Sequence, residues 1–400
     1  MNENTDQIID DYVAGWNARI GESTPVGVHR KSHRAYVIAN RHITDDLIRN
    51  FVVCHGDANP LWRDEEYAKA SPWGQIIGPP MQMMSVSSAT IQPPPPPVKG
   101  WTLMAAGSEY TVDRPLVPGD VIDGVDVWMG FVERSKPDRP HRTFILTAER
   151  RFTDQNGKSV GKLALRAFAM APRNGVEAEQ GPSGPAPRER PRYSEDQLRE
   201  IYSHYDDENA GKLRRGSEPR FWEDVAEGED IGKLIKGPID IQDTASFISM
   251  VGGGVGFADK WMLIKDEIDL SPRDPVSNAY HFNFDWHIDD ATAQAMGQPR
   301  ALVFGAQIEA NCSHLLTNWA GDHAFVRVMD NRIIAPMYLG ETAYFEGKVV
   351  RKFEEAGRGL VEIMIQATQQ DGISVGSQRA VVQLPHRGLP NEVVEEVLKA

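Results

Sequence analysis

Histidine moves protons near neutral pH more readily than other side chains. His287 stands in the run Phe282-Asn283-Phe284-Asp285-Trp286-His287-Ile288-Asp289, which also carries carboxylates. Asp285 is the nearest carboxylate that could orient the His287 ring, and it shares a side with His287 if the segment is extended. Gly305 follows at the start of a long apolar run, where a helix would open with backbone N–H donors that have no intrahelical acceptor. A second run, Gly56-Asp57-Ala58-Asn59-Pro60-Leu61-Trp62-Arg63-Asp64, offers Asp57 and Asn59. Its Trp62 cannot exchange a proton usefully near neutral pH. Asp57 also fits a loop or helix-end residue that hydrogen-bonds backbone. His281 and His287 lack the helix-face spacing of a metal pair, and no Cys/His cluster accompanies them, so no metal is expected. Gly252 to Gly256 has neither a clear preceding strand nor a Walker lysine, and reads as a mobile loop over a pocket, not a phosphate cradle. His314 reads as a packed or capping residue.

Several elements must position these groups. Asp45 to Cys54 reads as a helix, with Leu47, Ile48, Phe51 and Val52 on one face and Thr44 as N-cap. A second helix is expected to begin near Pro79-Pro80 and run through Met81, Met84, Ser85 and Ala89, stopped by Pro93 to Pro97. Ile239 to Met250 and Ser194 to Tyr205 read as helices. Ala306 to Trp319 is a longer one, with Ile308, Cys312, Leu315 and Leu316 on one side. Strands Thr143 to Phe152 and Ser159 to Ala169 flank an Asn-Gly hairpin signal, and Gly359 to Gln369 and Ser374 to Gln383 flank Gln370-Asp371-Gly372.

The two halves repeat one pattern. Trp62 aligns with His287, Asp64 with Asp289 and Pro80 with Gly305, each 225 positions on. Arg114 to Asp120 aligns with Ala335 to Glu341, and Thr153 to Gly161 with Thr368 to Gly376. These matches, in order at a nearly constant offset, imply duplication. Each unit is an α+β pattern, an antiparallel sheet packed on a helix. The segment 172–192, rich in Pro, Gly and charge, reads as a linker between a first unit, 1–171, and a second, 193–400. A chain of 400 residues suits two such units. The net charge of -14 argues against general nucleic-acid binding, but leaves room for a basic pocket that takes a small anion. Cys54 and Cys312 lie in apolar runs and read as reduced core residues. With no apolar leader and no long apolar stretch, a cytoplasmic protein without a membrane partner is expected.

Gly56 to Ala68, followed by Ile76-Ile77-Gly78-Pro79-Pro80, closely resembles the N-terminal dehydratase domain of MaoC-like proteins. The stretch from His287-Ile288-Asp289-Asp290 through Leu302-Val303-Phe304-Gly305 to Pro336 is similar, more loosely, to a MaoC-like hydratase domain. The resemblance implies a double hot-dog fold, each half wrapping a sheet around a long central helix. It also implies hydration of a 2-enoyl-CoA or dehydration of a 3-hydroxyacyl-CoA, with no cofactor beyond the CoA thioester itself.

In that family a carboxylate and a histidine five residues later hold the attacking water, and a backbone N–H at the central helix start polarises the thioester carbonyl. The first half keeps Asp57 and Asn59 but has Trp62 at the histidine position and Pro80, which has no N–H, at the donor position. The second half keeps His287 and Gly305 but has Phe282 at the carboxylate position. The expected reading is therefore a reactive second half, with His287, Gly305 and Asp285 catalytic. The first half would shape the substrate site, with Asp57, Asn59, Trp62 and Phe282 binding a bulky or unusual acyl group such as a sterol side chain or aromatic acid. Arg332, Arg351 and Lys352 could meet CoA phosphates, or form a solvated charged face. Assembly as a homodimer or heteromer through hot-dog surfaces is expected. Two other functions fit the same resemblance: a non-catalytic acyl-CoA-binding subunit of a heteromeric hydratase, and an acyl-CoA thioesterase.

Overall fold

The computed structural model describes residues 4–25, 40–87, 93–174, 188–251, 273–274 and 276–399. The Gly252 to Gly256 loop, most of the 172–192 segment and Ala89 lie outside them.

Among the described residues ten strands form one antiparallel sheet. They are β1 (Ser23–Pro25), β2 (Thr102–Val112), β3 (Asp123–Glu133), β4 (His141–Thr153), β5 (Ser159–Pro172), β6 (Asp230–Lys236), β7 (Phe325–Ile333), β8 (Ala343–Glu355), β9 (Arg358–Gln369) and β10 (Ser374–Leu384). Their order is β1-β3-β4-β5-β2-β7-β10-β9-β8-β6. Outward from the β2–β7 seam, each half repeats the other strand for strand, so the duplication read from the sequence is also a duplication of topology. The seam is narrow: Glu109, Tyr110 and Thr111 pair with Asp330, Met329 and Val328.

The repeated hairpin tips are built as their residues dictate. Asp154 Oδ1 accepts from the N–H groups of Asn156 at 2.8 Å and Lys158 at 3.0 Å, while Gly157 takes φ +77°. In the second half Gly372 takes φ +76° at the matching place. The helix Asp45–Cys54 has the expected bounds, and the Thr44 side chain accepts from Leu47 N–H.

The second half has its long central helix, Gly305–Ala320, buried from Gln307 onward. The first half differs. Among the described residues, the stretch after Pro80 is helical only over Met83–Val86, and Ser87 is already extended. Two features of the sequence account for this. Pro80 disfavours helical backbone at Pro79, and the proline run from Pro93 follows within a few residues. One apolar core serves both halves, with Phe51, Trp62 and Met84 of the first in the same cluster as Leu316, Trp319 and Phe345 of the second. This is a double hot-dog of α+β class.

Candidate active site

His287 closes a short 3₁₀ turn, Asn283–His287, just before the helix Asp290–Ala295. Its ring is buried, and Nδ1 lies 3.0 Å from the carbonyl oxygen of Leu302. A carbonyl only accepts, so Nδ1 carries the proton and Nε2 presents its lone pair. The edges and faces of Phe284, Trp286 and Phe304 surround the ring at centroid distances of 4.9, 5.5 and 5.1 Å. Burial pushes the imidazole down to about 4, against a small opposing pull from the Leu302 hydrogen bond. The resting ring is neutral at pH 7.

The same tie brings His287 to the helix start. Leu302 N–H donates to Trp286 O at 3.1 Å while Leu302 O accepts from His287. Three residues on, Gly305 opens the central helix, where an N–H has no acceptor within the helix. A side chain at Gly305 would bring its Cβ within 2.6 Å of Ile333 Cδ1, so glycine lets β7 approach the helix head.

Asp285 and His287 do not share a side of the chain as an extended segment would have them do. The segment is a 3₁₀ turn, not extended, and three residues per turn set positions two apart on different sides. Its Oδ2 instead lies 3.6 Å from His281 Nδ1. Phe282, at the carboxylate position, is buried and stacks on Phe284 at 6.2 Å.

In the first half, Asp57 is buried and accepts from Asn59 N–H at 2.9 Å and from the Trp62 indole N–H at 3.0 Å. Asn59 caps the turn Pro60–Trp62 by accepting from Leu61 N–H at 3.1 Å. The five-residue spacing survives as a structural hydrogen bond, with an indole donor in place of a base. Asp57 also faces the second half: its Oδ1 lies 3.5 Å from His314 Nε2, which is 2.7 Å from Glu208 Oε1. Asn318 donates to Glu208 at 3.0 Å, and Lys236 Nζ donates to Gly56 O at 2.7 Å. Burial alone would raise the Glu208 carboxyl, but the His314 hydrogen bond and the charges of His314 and Lys236 outweigh it and bring it down to about 2. Asp57, Glu208 and His314 form the one group among the described residues whose ligand atoms, all within 4.8 Å of one another, could hold a metal. The buried Lys236 ammonium beside both carboxylates already supplies positive charge there.

Glu208 and Lys236 were not legible as site neighbours. A signal for the network did exist. The central helix carries Glu309, Asn311, His314 and Asn318, too many polar groups for a helix buried on all sides unless they bond one another.

A cleft lies mostly in the first half, partly open to solvent, with a cavity of about 40 Å³. Asn59, Trp62, Trp73 and Pro80 line it together with Asp322 and Phe325 of the second half. Trp62 and Pro80 are the counterparts of His287 and Gly305, so the cleft occupies the first half's version of the candidate site. It meets the far end of the central helix, near Thr317 and Ala320. A helix of 16 residues spans roughly 24 Å, which separates the cleft from Gly305 and His287.

Comparison with known proteins agrees with this fold. The chain has the MaoC-like double hot-dog fold. A solved MaoC-like dehydratase superposes over 93% of this chain and 99% of its own, with a TM-score of 0.59 at 14% identity. A double hot-dog protein of Mycobacterium tuberculosis does so over 92% and 97%, with a TM-score of 0.51, also at 14% identity. Residues 34–163 match the sequence model described as "FAS1-like, dehydratase domain region". A curated relative from Thermomonospora curvata, described as "Probable enoyl-CoA hydratase alpha subunit", is 30% identical over 158 residues, 36% of this chain. The chain spans about half the length of that relative, 49%. Together these matches show the double hot-dog fold over most of the chain and a likeness of its first half to dehydratase and enoyl-CoA hydratase sequences. No helix among the described residues is long and apolar enough to cross a membrane.

Proposed function

We propose that the second half reversibly hydrates a 2-enoyl-CoA at His287. The observation that carries this reading is the Nδ1–H hydrogen bond to Leu302 O, which fixes the tautomer with Nε2 as acceptor beside the head of a helix. Water would donate one proton to His287 Nε2 as its oxygen bonds C3 of the enoyl group. The C2–C3 π electrons would move onto the carbonyl oxygen, held by the Gly305 N–H and the positive end of the helix dipole. The proton held at His287 Nε2 would then pass to C2 as the electrons return from the oxygen, giving the 3-hydroxyacyl thioester and the neutral imidazole; dehydration is the reverse. Leu302 O takes over the orienting task that a carboxylate often performs for a catalytic histidine.

A bulky or long acyl chain suits this arrangement, because the first half has neither base nor oxyanion donor at its matching site and keeps a cleft there. A chain reaching from His287 to that cleft would follow the central helix for roughly 24 Å.

A steady loss of enoyl-thioester absorbance with the purified chain, reduced at least about 100-fold in His287→Ala, is the expected result. Full activity in that variant would sink the assignment. The missing carboxylate favours a second reading, an acyl-CoA-binding subunit that works with a separate hydratase. Tight acyl-CoA binding by calorimetry, with no absorbance change on any enoyl-CoA, would select it.

A further inference from the structure

The turn before β8 and its counterpart before β3 share their hydrogen bonds. In the first half Asp120 accepts from Val117 N–H at 2.9 Å, Gln155 from Val121 N–H at 2.9 Å, and Leu116 O from Gly78 N–H at 2.7 Å. In the second half Glu341 accepts from Tyr338 N–H at 2.9 Å, Gln370 from Thr342 N–H at 2.9 Å, and Met337 O from Val303 N–H at 2.8 Å. One part differs. Arg114 bridges Asp120, at 2.7 and 2.9 Å, to Asp154 at 3.1 Å. The aligned residue of the second half is Ala335, which has no charge to offer, and Gln369 stands where Asp154 does. Arg188, at the end of the linker, makes the bridge instead. Its Nε lies 2.8 Å from Glu341 Oε1, and its Nη2 donates to Gln369 Oε1 at 2.6 Å and Asp371 Oδ2 at 3.0 Å. Glu341 is fully buried, so a cation on it counts for more than an exposed pair would. Arg300 also reaches Glu341 Oε1, at 3.2 Å; what Arg188 adds is the tie to the β9–β10 hairpin.

This turn holds the segment that leads into the central helix. Besides the Val303 bond to Met337 O, Leu339 N–H donates to Ala301 O at 3.0 Å. Between them, Leu302 O takes the His287 Nδ1–H, and Gly305 opens the helix two residues after Val303. The linker end reaches the same segment by a second route. Arg190 donates to Asp290 Oδ2 at 3.1 Å, and Asp290 Oδ1 accepts from Ala301 N–H at 2.9 Å. The Tyr193 hydroxyl donates to Gly340 O at 2.9 Å. We propose that Arg188 is a positioning residue for the His287 site. The linker supplies the second copy with the arginine its own turn lacks, and residues 188–193 act as a strap that holds the Leu302 carbonyl and the Gly305 helix head in register. Arg188 touches no reacting group. Its effect on turnover rests on the hydratase reading; the strap itself does not.

Hydrogen–deuterium exchange of the full chain reads the strap through the Val303 and Leu339 amides. Arg188→Ala should speed their exchange about 10-fold and leave the Gly78 amide of the first half unchanged. Arg114→Ala should show the opposite pattern. Adding Ala335→Arg to Arg188→Ala should return the Val303 and Leu339 rates to within about threefold of wild type, because position 335 is where the first half carries its arginine. In turnover, Arg188→Ala should lower kcat about 10-fold with KM within about twofold, and the added Ala335→Arg should recover most of the loss. Unchanged exchange in Arg188→Ala, a double variant that exchanges as fast as the single one, or full kcat in a chain whose Val303 and Leu339 amides are loosened would overturn the proposal. Should Arg188→Ala not fold, Arg188→Lys, which keeps the charge but not the bridge, gives the same comparison at smaller amplitude. A chain that hydrates no enoyl-CoA yet shows the exchange pattern and its rescue would sink only the hydratase reading. An active chain with unaltered exchange in Arg188→Ala would sink only the strap.

Discussion

Ser108 donates to Glu309 at 2.6 Å inside the seam between the halves, and Asn331 and Gln378 continue the network on the second-half side. Burial raises the Glu309 carboxyl to about 7, with the Ser108 hydrogen bond and the Arg166 charge only partly opposing it. In the unfolded chain the same group titrates at its ordinary value of 4.5. The folded state therefore holds a proton that the unfolded state releases. This contribution to stability is complete below pH 4.5 and is lost as pH rises through 7. Glu309→Gln cannot ionise. Urea titrations should show the variant gaining on the wild type by on the order of 3 kcal/mol between pH 4.5 and pH 8. A difference that does not change with pH would mean Glu309 is solvated. The same desolvation acts with opposite sign on His287, where it keeps the base form populated at neutral pH.

The central helix and β7 meet at Gly305, where the limiting contact is one side-chain methyl of Ile333. Gly305→Ala should cost about 1–3 kcal/mol by overpacking, and Ile333→Val in the same chain should restore most of it by removing Cδ1. Persistence of the loss in the double variant would show that the backbone, not the methyl, sets the limit. Elements with a clear period and a clear cap were readable in advance, as Asp45–Cys54 and the two hairpins show. Those resting on one local exception were not. The expected helix from Pro79 is cut to Met83–Val86 among the described residues, because Pro80 and the proline run from Pro93 override the apolar spacing. The shared side expected of Asp285 and His287 in an extended segment does not hold, because an extended chain repeats every two residues and the Asn283–His287 turn every three. Of the site, His287 and the helix head were legible as local signals. Asp322 and the Asp57–His314 contact were not, because each joins segments more than 200 residues apart through packing alone.

The ten-stranded sheet is one hydrogen-bonded unit whose halves meet at β2 and β7. Gly107 stands where the strands come closest: a Cβ there would lie 2.1 Å from Asn331 O, on a backbone already at φ +134°. Gly107→Ala should destabilise the whole chain by at least about 2 kcal/mol. Gly157→Ala at the β4–β5 tip, which also has positive φ but open space, should cost only about 1 kcal/mol. Denaturant midpoints that rank the two the other way would show the seam to be slack. The mirrored strand order also decides which parts of the sheet remain open. Among the described residues its outer strands are β1 and β6. The first is three residues long and ends in Pro25, which offers no N–H; the second is interrupted by a bulge between Asp230 and Lys233, both charged. Short, charged, bulged and proline-bearing margins are poor templates for strand addition. The protein thus guards itself against fibre-like growth, and any stable assembly with another copy or a partner subunit is expected to form across helices and loops rather than by lengthening the sheet.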